Sequence, residues 1–166
     1  LESLQEAFGR TVVSIQLPIG EEKDFRGVVD LVAMKAVMFS NDGLGTPSVV
    51  DIPAELTDEA NTAREALIEL VAEADDGLME RFFEVGTLTQ EELEVGLRNA
   101  TASRHLFPLV CTSATTNVGI QSLLETILSY VPSPEQRTLQ VVDAASGEPT
   151  AADSDSAAAL VWKTIA

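Results

Sequence analysis

The first fifty residues show one helical pattern of apolar positions followed by several strand-like patterns. In LESLQEAFGR, Leu4 and Phe8 are four residues apart, and Gly9 is placed to end a helix. The β-branched stretch TVVSIQLPIG follows and ends at Gly20, which predicts a strand. Three further apolar segments, FRGVVDLV, MKAVMFS and SVVDIP, are separated by short connections such as NDGLGTP. Together these segments predict an antiparallel meander.

A long helix is predicted after Thr57, which can cap the stretch DEANTAREALIELVAEADD. One face of this helix is apolar and is expected to face the core; it consists of Ala60, Ala63, Leu67, Leu70, Val71, Ala74 and Leu78. The nearly opposite face is acidic and consists of Asp58, Glu65, Glu69, Glu73 and Asp76. The separation of the two faces predicts a helix that packs along one side.

Two more helices and a strand are predicted in the second half of the chain. GLMERFFE is a short helix candidate, and Thr89 and Glu92 form a capping-box pattern ahead of ELEVGLRNA. LFPLVCTSA returns to a strand pattern, and a last helix begins near Asn117. The apolar stripe of that helix consists of Ile120, Leu123, Leu124, Ile127, Leu128 and Val131. We expect it to cover a parallel sheet formed by residues 12–17 and 107–111.

The order of the elements predicts an α/β fold with an insertion. Residues 1–20 and 106–134 supply the helix and strands of a parallel sheet, together with its covering helix. Residues 21–105 form an α+β insertion made of the antiparallel meander and the middle helices. Residues 135–157 are small and polar and predict a linker, and AALVWKTIA, residues 158–166, predicts one more strand.

The chain is strongly acidic, with 27 acidic against 10 basic residues and a formal net charge of -17. Such a surface repels phosphate groups, so we expect no autonomous binding of nucleic acid or of an anionic membrane. A basic protein partner would be attracted. The single cysteine, Cys111, excludes an internal disulfide framework and favours a reducing, intracellular compartment. No apolar run is long enough to span a membrane, and no signal peptide is recognisable.

Candidate catalytic and metal sites have little support in the sequence. His105 is the only histidine and Cys111 the only cysteine, so neither a zinc site nor a Cys-His pair is expected. The sequence has no phosphate loop of the form G-x-x-x-x-G-K-[ST] and no G-x-G-x-x-G. DFRG and DGLG match the D-x-x-G pattern of GTPase switches, but no phosphate loop precedes them, and we interpret both as turns.

Two long stretches together resemble the translation elongation factor G family. The first is VVSIQLPIGEEKDFRGVVDLVAMKA, and the second is CTSATTNVGIQSLLETILSYVPSP. In that family a similar strand leads into an inserted subdomain, and a Ser-Ala loop followed by a helix closes the GTPase domain. AALVWKTIA is similar to the first strand of the β-barrel that follows there. The resemblance covers almost the whole chain, and it implies the end of a P-loop GTPase-type sheet with its insertion.

The resemblance implies that backbone amides at Ser113 and Ala114 contact the guanine of GTP or GDP. The phosphate loop, the switches, the Mg²⁺ ligands and the Asn-Lys-x-Asp motif would then precede Leu1 in a cytoplasmic, ribosome-associated parent protein. We therefore expect this chain alone to hydrolyse no GTP and to bind no cofactor. Thr112 and Thr115 flank the Ser-Ala pair where the family commonly has Gly and an aromatic or Leu, which indicates a paralogue of the main translocase.

A second hypothesis is a protein-docking module without nucleotide chemistry. The acidic residues Asp58, Glu65, Glu69, Glu73 and Asp76 could attract a basic helix and raise its rate of association. The resemblance implies the ribosomal stalk protein as such a partner, whereas the plain alternative is a solvated face. A third class, an unrelated metabolic enzyme of α/β fold, has no catalytic constellation in the sequence.

Overall fold

The computed structural model describes residues 2–40, 42–133, 140–142 and 149–151. These residues divide into two compact units, one ending at Val131 and the other beginning at Pro132. The first unit is mixed α/β, with a parallel two-stranded sheet and an antiparallel four-stranded sheet. In the part of the chain described, no helix is long and apolar enough to cross a membrane.

The parallel sheet pairs two strands from opposite ends of the first unit. Helix α1, Glu2–Phe8, is followed by a 3₁₀ turn and then by strand β1, Val12–Ser14. Gly9 begins that turn with a φ of 73°, so the predicted helix stop at this glycine is confirmed. Strand β6, Phe107–Leu109, lies parallel to β1, with Val12 opposite Phe107. The predicted parallel pairing is confirmed over these three residues of each strand.

The antiparallel sheet begins earlier than the sequence predicts. Its order is β2, Gln16–Ile19; β3, Gly27–Asp30; β4, Lys35–Phe39; and β5, Pro47–Val50. The prediction of one parallel strand over residues 12–17 is therefore wrong. Ile15 marks the change of sheet, because its amide donates to the Leu109 carbonyl (3.2 Å) and its carbonyl accepts from the Leu31 amide (3.0 Å).

Three helices follow the meander. They are α2, Thr57–Glu73; α3, Asp76–Val85; and α4, Gln90–Ala102. The short helix predicted at GLMERFFE is confirmed as α3, but the predicted boundary is wrong: the long helix does not run through Asp76, because the Asp75 carboxylate accepts from the Leu78 amide and caps α3. Thr57 does not cap α2; its hydroxyl donates to the Pro53 carbonyl instead. The capping box of Thr89 and Glu92 is confirmed, with both reciprocal hydrogen bonds present.

The main core lies between the meander and the three helices. Its largest fully buried side chains include Leu31 and Val29 from the sheet, Leu67 from α2, and Leu93 and Leu97 from α4. Of the apolar face predicted for α2, the residues that are fully buried are Ala60, Leu67 and Val71, while Ala63, Leu70, Ala74 and Leu78 are half-buried. Ile68 and Ala72 are also buried, because α2 contacts β1 as well as α3 and α4.

Helix α5, Ile120–Tyr130, does not cover the parallel sheet with its apolar stripe. It lies against α4, where the Arg98 Nε donates to the Ser129 carbonyl (2.7 Å). Leu124 is 55% exposed and Leu128 is 84% exposed, so the prediction of a buried stripe is wrong within this chain. Tyr130, at the end of α5, is the buried apolar anchor of the helix on the main core.

The second unit contains one short antiparallel pair in its described part. Strand β7, Gln140–Val142, pairs with β8, Pro149–Ala151. This pair falls inside residues 135–157, so that segment is not the purely linker-like stretch that its composition predicts. The valines at 141 and 142 favour the extended pairing over a solvated linker. The predicted strand at residues 158–166 lies outside the described residues.

Candidate functional site

The Ser-Ala pair belongs to a closed turn of residues 113–118, which we call the Ser-Ala loop. The Ser113 amide donates to the Val118 carbonyl (2.8 Å), and the Val118 amide donates back to the Ser113 carbonyl (3.1 Å). Gly119 follows with a φ of 77°, and a Cβ there would lie 2.6 Å from the Cys111 carbonyl oxygen. Only glycine fits this position, which turns the chain directly from the loop into α5.

The two predicted site residues have different surroundings within the loop. Ser113 is half-buried, and its hydroxyl accepts a hydrogen bond from the Thr116 hydroxyl (2.7 Å), so both its amide and its side chain help to close the turn. Ala114 is exposed, and its amide has no hydrogen-bond partner among the described residues. Ala114 therefore offers a free backbone donor on a turn whose shape is fixed by its neighbours.

Asn117 joins the Ser-Ala loop to the antiparallel sheet. Its side-chain Nδ2 donates to the Leu44 carbonyl (2.8 Å) across 73 residues of sequence. Gly45, which is buried, lies so close that a Cβ there would overlap the Asn117 carbonyl. Asn117 itself has a φ of 58°, a left-handed conformation that asparagine tolerates better than most residues. The turn between β4 and β5 is thus in direct contact with the loop.

That turn has its own internal support. The Ser40 amide donates to the Thr46 carbonyl (3.0 Å), and the Thr46 amide donates to the Ser40 hydroxyl (2.9 Å). The Asp42 carboxylate accepts from the Ser40 hydroxyl (2.6 Å) and from the Leu44 amide (2.9 Å). These hydrogen bonds lower the pKa of Asp42. The DGLG stretch is a turn, as the sequence predicts, and it presents the Leu44 carbonyl in a fixed position.

An open cleft of about 520 Å³ lies beside the Ser-Ala loop, lined by residues that include Gly20, Phe25, Cys111 and Ser113. Burial raises the pKa of the Cys111 thiol, which keeps it protonated and a poor nucleophile at neutral pH. The Cys111 amide donates to the Gln16 Oε1 (3.3 Å), so the buried Gln16 side chain ties β2 to the segment that follows β6. A ligand in this cleft could therefore be held by its fit to the walls and by backbone groups, but the Cys111 thiol would not attack it.

The five acidic residues proposed for docking are all exposed. Asp58, Glu65, Glu69 and Glu73 lie on α2, but Asp76 lies on α3, beyond the break at Asp75, so they do not form one continuous helical stripe. The Glu73 Oε1 also lies 3.7 Å from the Arg10 Nη2, and both side chains are solvent-accessible.

The remaining candidates give no catalytic group. His105 is exposed in the turn between α4 and β6, with its Nδ1 3.3 Å from the Ser103 hydroxyl. Over the described ranges, no three or more His, Cys, Asp or Glu side chains cluster in a way that could hold a metal ion.

Sequence reasoning missed the roles of Asn117 and Gly45. Each stands in a stretch that the sequence singles out, TTNVG and DGLG, and each has a residue type that favours positive φ. Those residue types indicate a left-handed turn at each place. Nothing in the two stretches indicates that the turns touch each other.

Comparison with known proteins gives a fold and no function. No protein-family model matches the chain. A crystal structure of the protein ttk003000868 from Thermus thermophilus is similar, with a TM-score of 0.72 and 29% sequence identity. The similarity covers 82% of this chain but 20% of the Thermus chain, so this chain spans about a fifth of the length of that protein.

Proposed function

We propose that this chain is the end of a GTPase domain of the elongation factor G type, together with that family's inserted subdomain. In the longer protein, which we place in the cytoplasm and on the ribosome, Ser113 and Ala114 form the loop that contacts the base of GTP or GDP. The phosphates and Mg²⁺ are held by other parts of that protein. No step of hydrolysis is assigned to the residues of this chain.

The observation on which the proposal depends is the amide of Ala114, which has no hydrogen-bond partner among the residues that the structure describes. It stands on a turn closed by the two Ser113–Val118 hydrogen bonds, between strand β6, which ends at Leu109, and helix α5. The amide is exposed on a fixed backbone, so a ligand acceptor can bind it without first displacing an internal partner. The side chain at this position is a single methyl group, which leaves room for a flat ring beside the backbone.

A backbone N–H at this position can distinguish guanine from adenine. Guanine has a carbonyl oxygen at C6, which accepts the hydrogen bond, whereas adenine has an amino group there, which donates. Two donors facing each other leave both groups unpaired, and a buried unpaired polar group costs about 1–3 kcal/mol. The Ala114 amide would therefore contribute about tenfold or more to guanine selectivity.

The exposed apolar surface of the chain also supports a larger parent domain. The side chains of Phe8 and Phe107 are 65% and 49% exposed, and Leu128 is 84% exposed. Leu4, Phe8, Val12 and Phe107 line an apolar groove of about 580 Å³ along the parallel sheet. Soluble monomers rarely leave such apolar patches uncovered. A wider parallel sheet in the longer protein would cover them, in keeping with the Thermus chain, of which the similar part is 20%.

The test uses the full-length protein to which this segment belongs. Its affinity for fluorescent GDP is measured by titration, with ATP and ADP as competitors. Ala114→Leu places a branched side chain where the base is proposed to lie, and we expect it to weaken GDP binding at least tenfold. Thr115→Leu adds similar bulk at the next position of the same exposed turn, and we expect it to change the affinity less than twofold.

Two results would contradict the proposal. One is a wild-type protein that binds no guanine nucleotide, or that binds adenine nucleotides equally well. The other is equal weakening by Ala114→Leu and Thr115→Leu, since the methyl group of Ala114 would then have no special place beside the base. For this chain alone, calorimetry at millimolar GDP should detect no saturable binding, because one base-contact loop is too small a part of a nucleotide site.

A second candidate function is docking of a basic partner, such as the ribosomal stalk protein, on the acidic residues of α2. The observation that favours it is the exposure of Asp58, Glu65 and Glu69 along one helix. Like charges four residues apart, as at Glu65 and Glu69, cost a few tenths of a kcal/mol, so helix stability does not explain them.

The docking candidate is tested by charge reversal. Glu65→Lys combined with Glu69→Lys should slow association with the stalk protein and flatten its salt dependence. The thermal unfolding midpoint should stay nearly unchanged, because both side chains are exposed. Glu80→Lys with Glu84→Lys on α3 is the matched control for net charge. Equal association rates for both double variants would identify the α2 face as an ordinary solvated surface.

A further inference from the structure

The Ser-Ala loop rests on the inserted sheet through two side chains: Val118 is buried against Val28 and Phe39, and Asn117 makes the polar contact. Asn117 lies three residues after Ala114 in the loop, and its Nδ2 donates to the Leu44 carbonyl at 2.8 Å. Gly45, next to Leu44, lies against the Asn117 backbone with no room for a Cβ. The loop and the turn between β4 and β5 therefore meet by one hydrogen bond and one close backbone approach.

We propose that Asn117 is a positioning residue that anchors the Ser-Ala loop on the β4–β5 turn, so that the inserted sheet presets the backbone donor of Ala114. This inference rests on the proposed function, since it concerns the loop that is proposed to contact guanine. The inference gives the insertion a role in nucleotide binding. The insertion supports the base-contact loop from behind rather than touching the ligand.

The closure of the loop explains how such an anchor acts at a distance of three residues. Asn117 stands directly before Val118, whose amide and carbonyl form both hydrogen bonds to Ser113. Asn117 also has a left-handed backbone, with a φ of 58°. If its side chain is released, the residue can return to a more common φ; the Val118 side chain stays buried against Val28 and Phe39, but the peptide before it rotates and the Val118 amide loses its alignment with the Ser113 carbonyl. The Ala114 amide then loses its fixed direction.

The turn that provides the acceptor is well suited to hold the loop still. Asp42 and Ser40 fix it through three hydrogen bonds of 2.6 to 2.9 Å. The acceptor is a backbone carbonyl, so the anchor does not depend on the Leu44 side chain, which is 72% exposed. Support of this kind lowers the entropy that the loop must lose on binding, which slows release of the ligand.

The test breaks the contact from each side. Asn117→Asp keeps the size and the tolerance of positive φ but replaces the donor with an acceptor that faces the Leu44 carbonyl. Gly45→Ala adds a Cβ that overlaps the Asn117 carbonyl. Gly43→Ala is the matched control, because Gly43 also has a positive φ (79°) in the same turn but no atom within 4 Å of its Cβ position. The control separates backbone strain from loss of contact.

Two measurements are made on each variant. Amide hydrogen exchange of Ser113 and Val118 in this chain reports whether the loop stays closed, and we expect faster exchange in Asn117→Asp and Gly45→Ala than in Gly43→Ala. The dissociation rate of fluorescent GDP from the full-length protein reports the position of the Ala114 donor. We expect about three- to tenfold faster release in the first two variants, the effect of losing one hydrogen bond.

The outcomes are distinguishable. Unchanged exchange at Ser113 and Val118 in both variants would show that the contact does not hold the loop, and the inference would be wrong. Faster exchange with unchanged GDP release would show that the loop is anchored but that the anchor does not position the donor; this overturns the inference and leaves the proposed function standing. A wild-type full-length protein that binds no guanine nucleotide overturns the proposed function and this inference with it.

Discussion

The first unit contains two regions that differ in how their apolar residues are covered. The inserted region, residues 16–102, has a core in which Val28, Leu31, Leu67 and Leu97 have essentially no exposed surface, while Leu44, Val49 and Phe83 are exposed outside that core. The flanking region, residues 2–14 and 107–131, exposes Phe8, Phe107, Leu124 and Leu128. The same chain therefore combines a region with its own core and a region whose apolar surface is open. Stability measured on this chain reports mainly on the inserted region.

The largest expected difference between the regions is the cost of shortening a leucine. Leu97→Ala removes a side chain that is fully buried on α4, and we expect a loss of about 2–5 kcal/mol in the free energy of unfolding. Leu128→Ala on α5, where the side chain is 84% exposed, should cost less than about 0.5 kcal/mol. Urea unfolding of both variants tests the comparison, and equal losses would mean that the stripe of α5 is covered in solution.

A second comparison uses two arginines. The Arg64 Nη1 donates to the Leu31 and Val32 carbonyls, both at 2.6 Å, and ties α2 to the turn between β3 and β4. Hydrogen bonds from a charged donor are each worth about 1.5–3 kcal/mol, so Arg64→Met should lower the free energy of unfolding by about that amount. Arg10→Met in the flanking region removes an exposed ion pair and should cost less than about 1 kcal/mol. Thermal unfolding of the two variants shows whether Arg64→Met lowers the stability more than Arg10→Met does.

A smaller effect should separate the two regions in acid. Hydrogen bonds from the Thr89 amide and hydroxyl, with the charge of Arg81, lower the pKa of Glu92 at the start of α4. A lowered pKa gives stability that is present above the unfolded-state pKa and is lost as the pH falls through the folded-state pKa. Helix α5 has no side-chain cap and should show no such loss.

The capping effect is measured as the difference in unfolding free energy between the wild type and Glu92→Gln at several pH values. This difference should be constant above about pH 5 and shrink as the pH falls through the lowered pKa of Glu92, because glutamine cannot take up a proton. A difference that stays constant down to about pH 2 would mean that the charge of Glu92 adds nothing to the capping box.

The last effect concerns the contact between the two regions and is visible only at high pH. Burial, with the charges of Asp30 and Glu94, raises the pKa of Tyr130 to about 12. The native state therefore keeps a proton that the unfolded state releases, and the resulting stability is lost as the pH rises from about 10 through 12. Tyr130 is the only tyrosine, so absorbance reports its ionisation alone. A midpoint near the model-compound value of about 10 would show that α5 is not anchored on the core.

Sequence patterns predicted the elements that depend on neighbours in sequence. The capping box at Thr89 and Glu92, the stop at Gly9 and the meander turns are local, and the structure has all of them. The break between α2 and α3 is local too, and Asp75 followed by Asp76 and Gly77 is a recognisable capping signal. The continuing apolar period through Leu78 placed the predicted boundary after Asp76 instead of at Asp75, since Leu78 packs on the same core from the next helix.

The remaining features depend on contacts between distant residues. The exposure of Leu124 and Leu128 could not be predicted, because an apolar stripe shows that a helix has a face to cover but not what covers it. The bond from Asn117 to Leu44 joins two turns that are far apart in sequence, and neither turn indicates its partner. For the candidate site, the sequence predicted the position of Ser113 and Ala114 but not what supports them.

Ile15 has a consequence for anyone who engineers the insertion. A cassette cut at residue 20 would remove β2 from its partner β3 and leave an unpaired sheet edge, which invites aggregation. A cut before Gln16 keeps the whole meander, but it breaks the two backbone hydrogen bonds through which Ile15 joins both sheets. No flexible spacer separates β1 from β2. An insertion transplanted into another protein would therefore need the same junction at Ile15 in its new host. If it were attached through an added linker instead, the insertion would lose its fixed orientation.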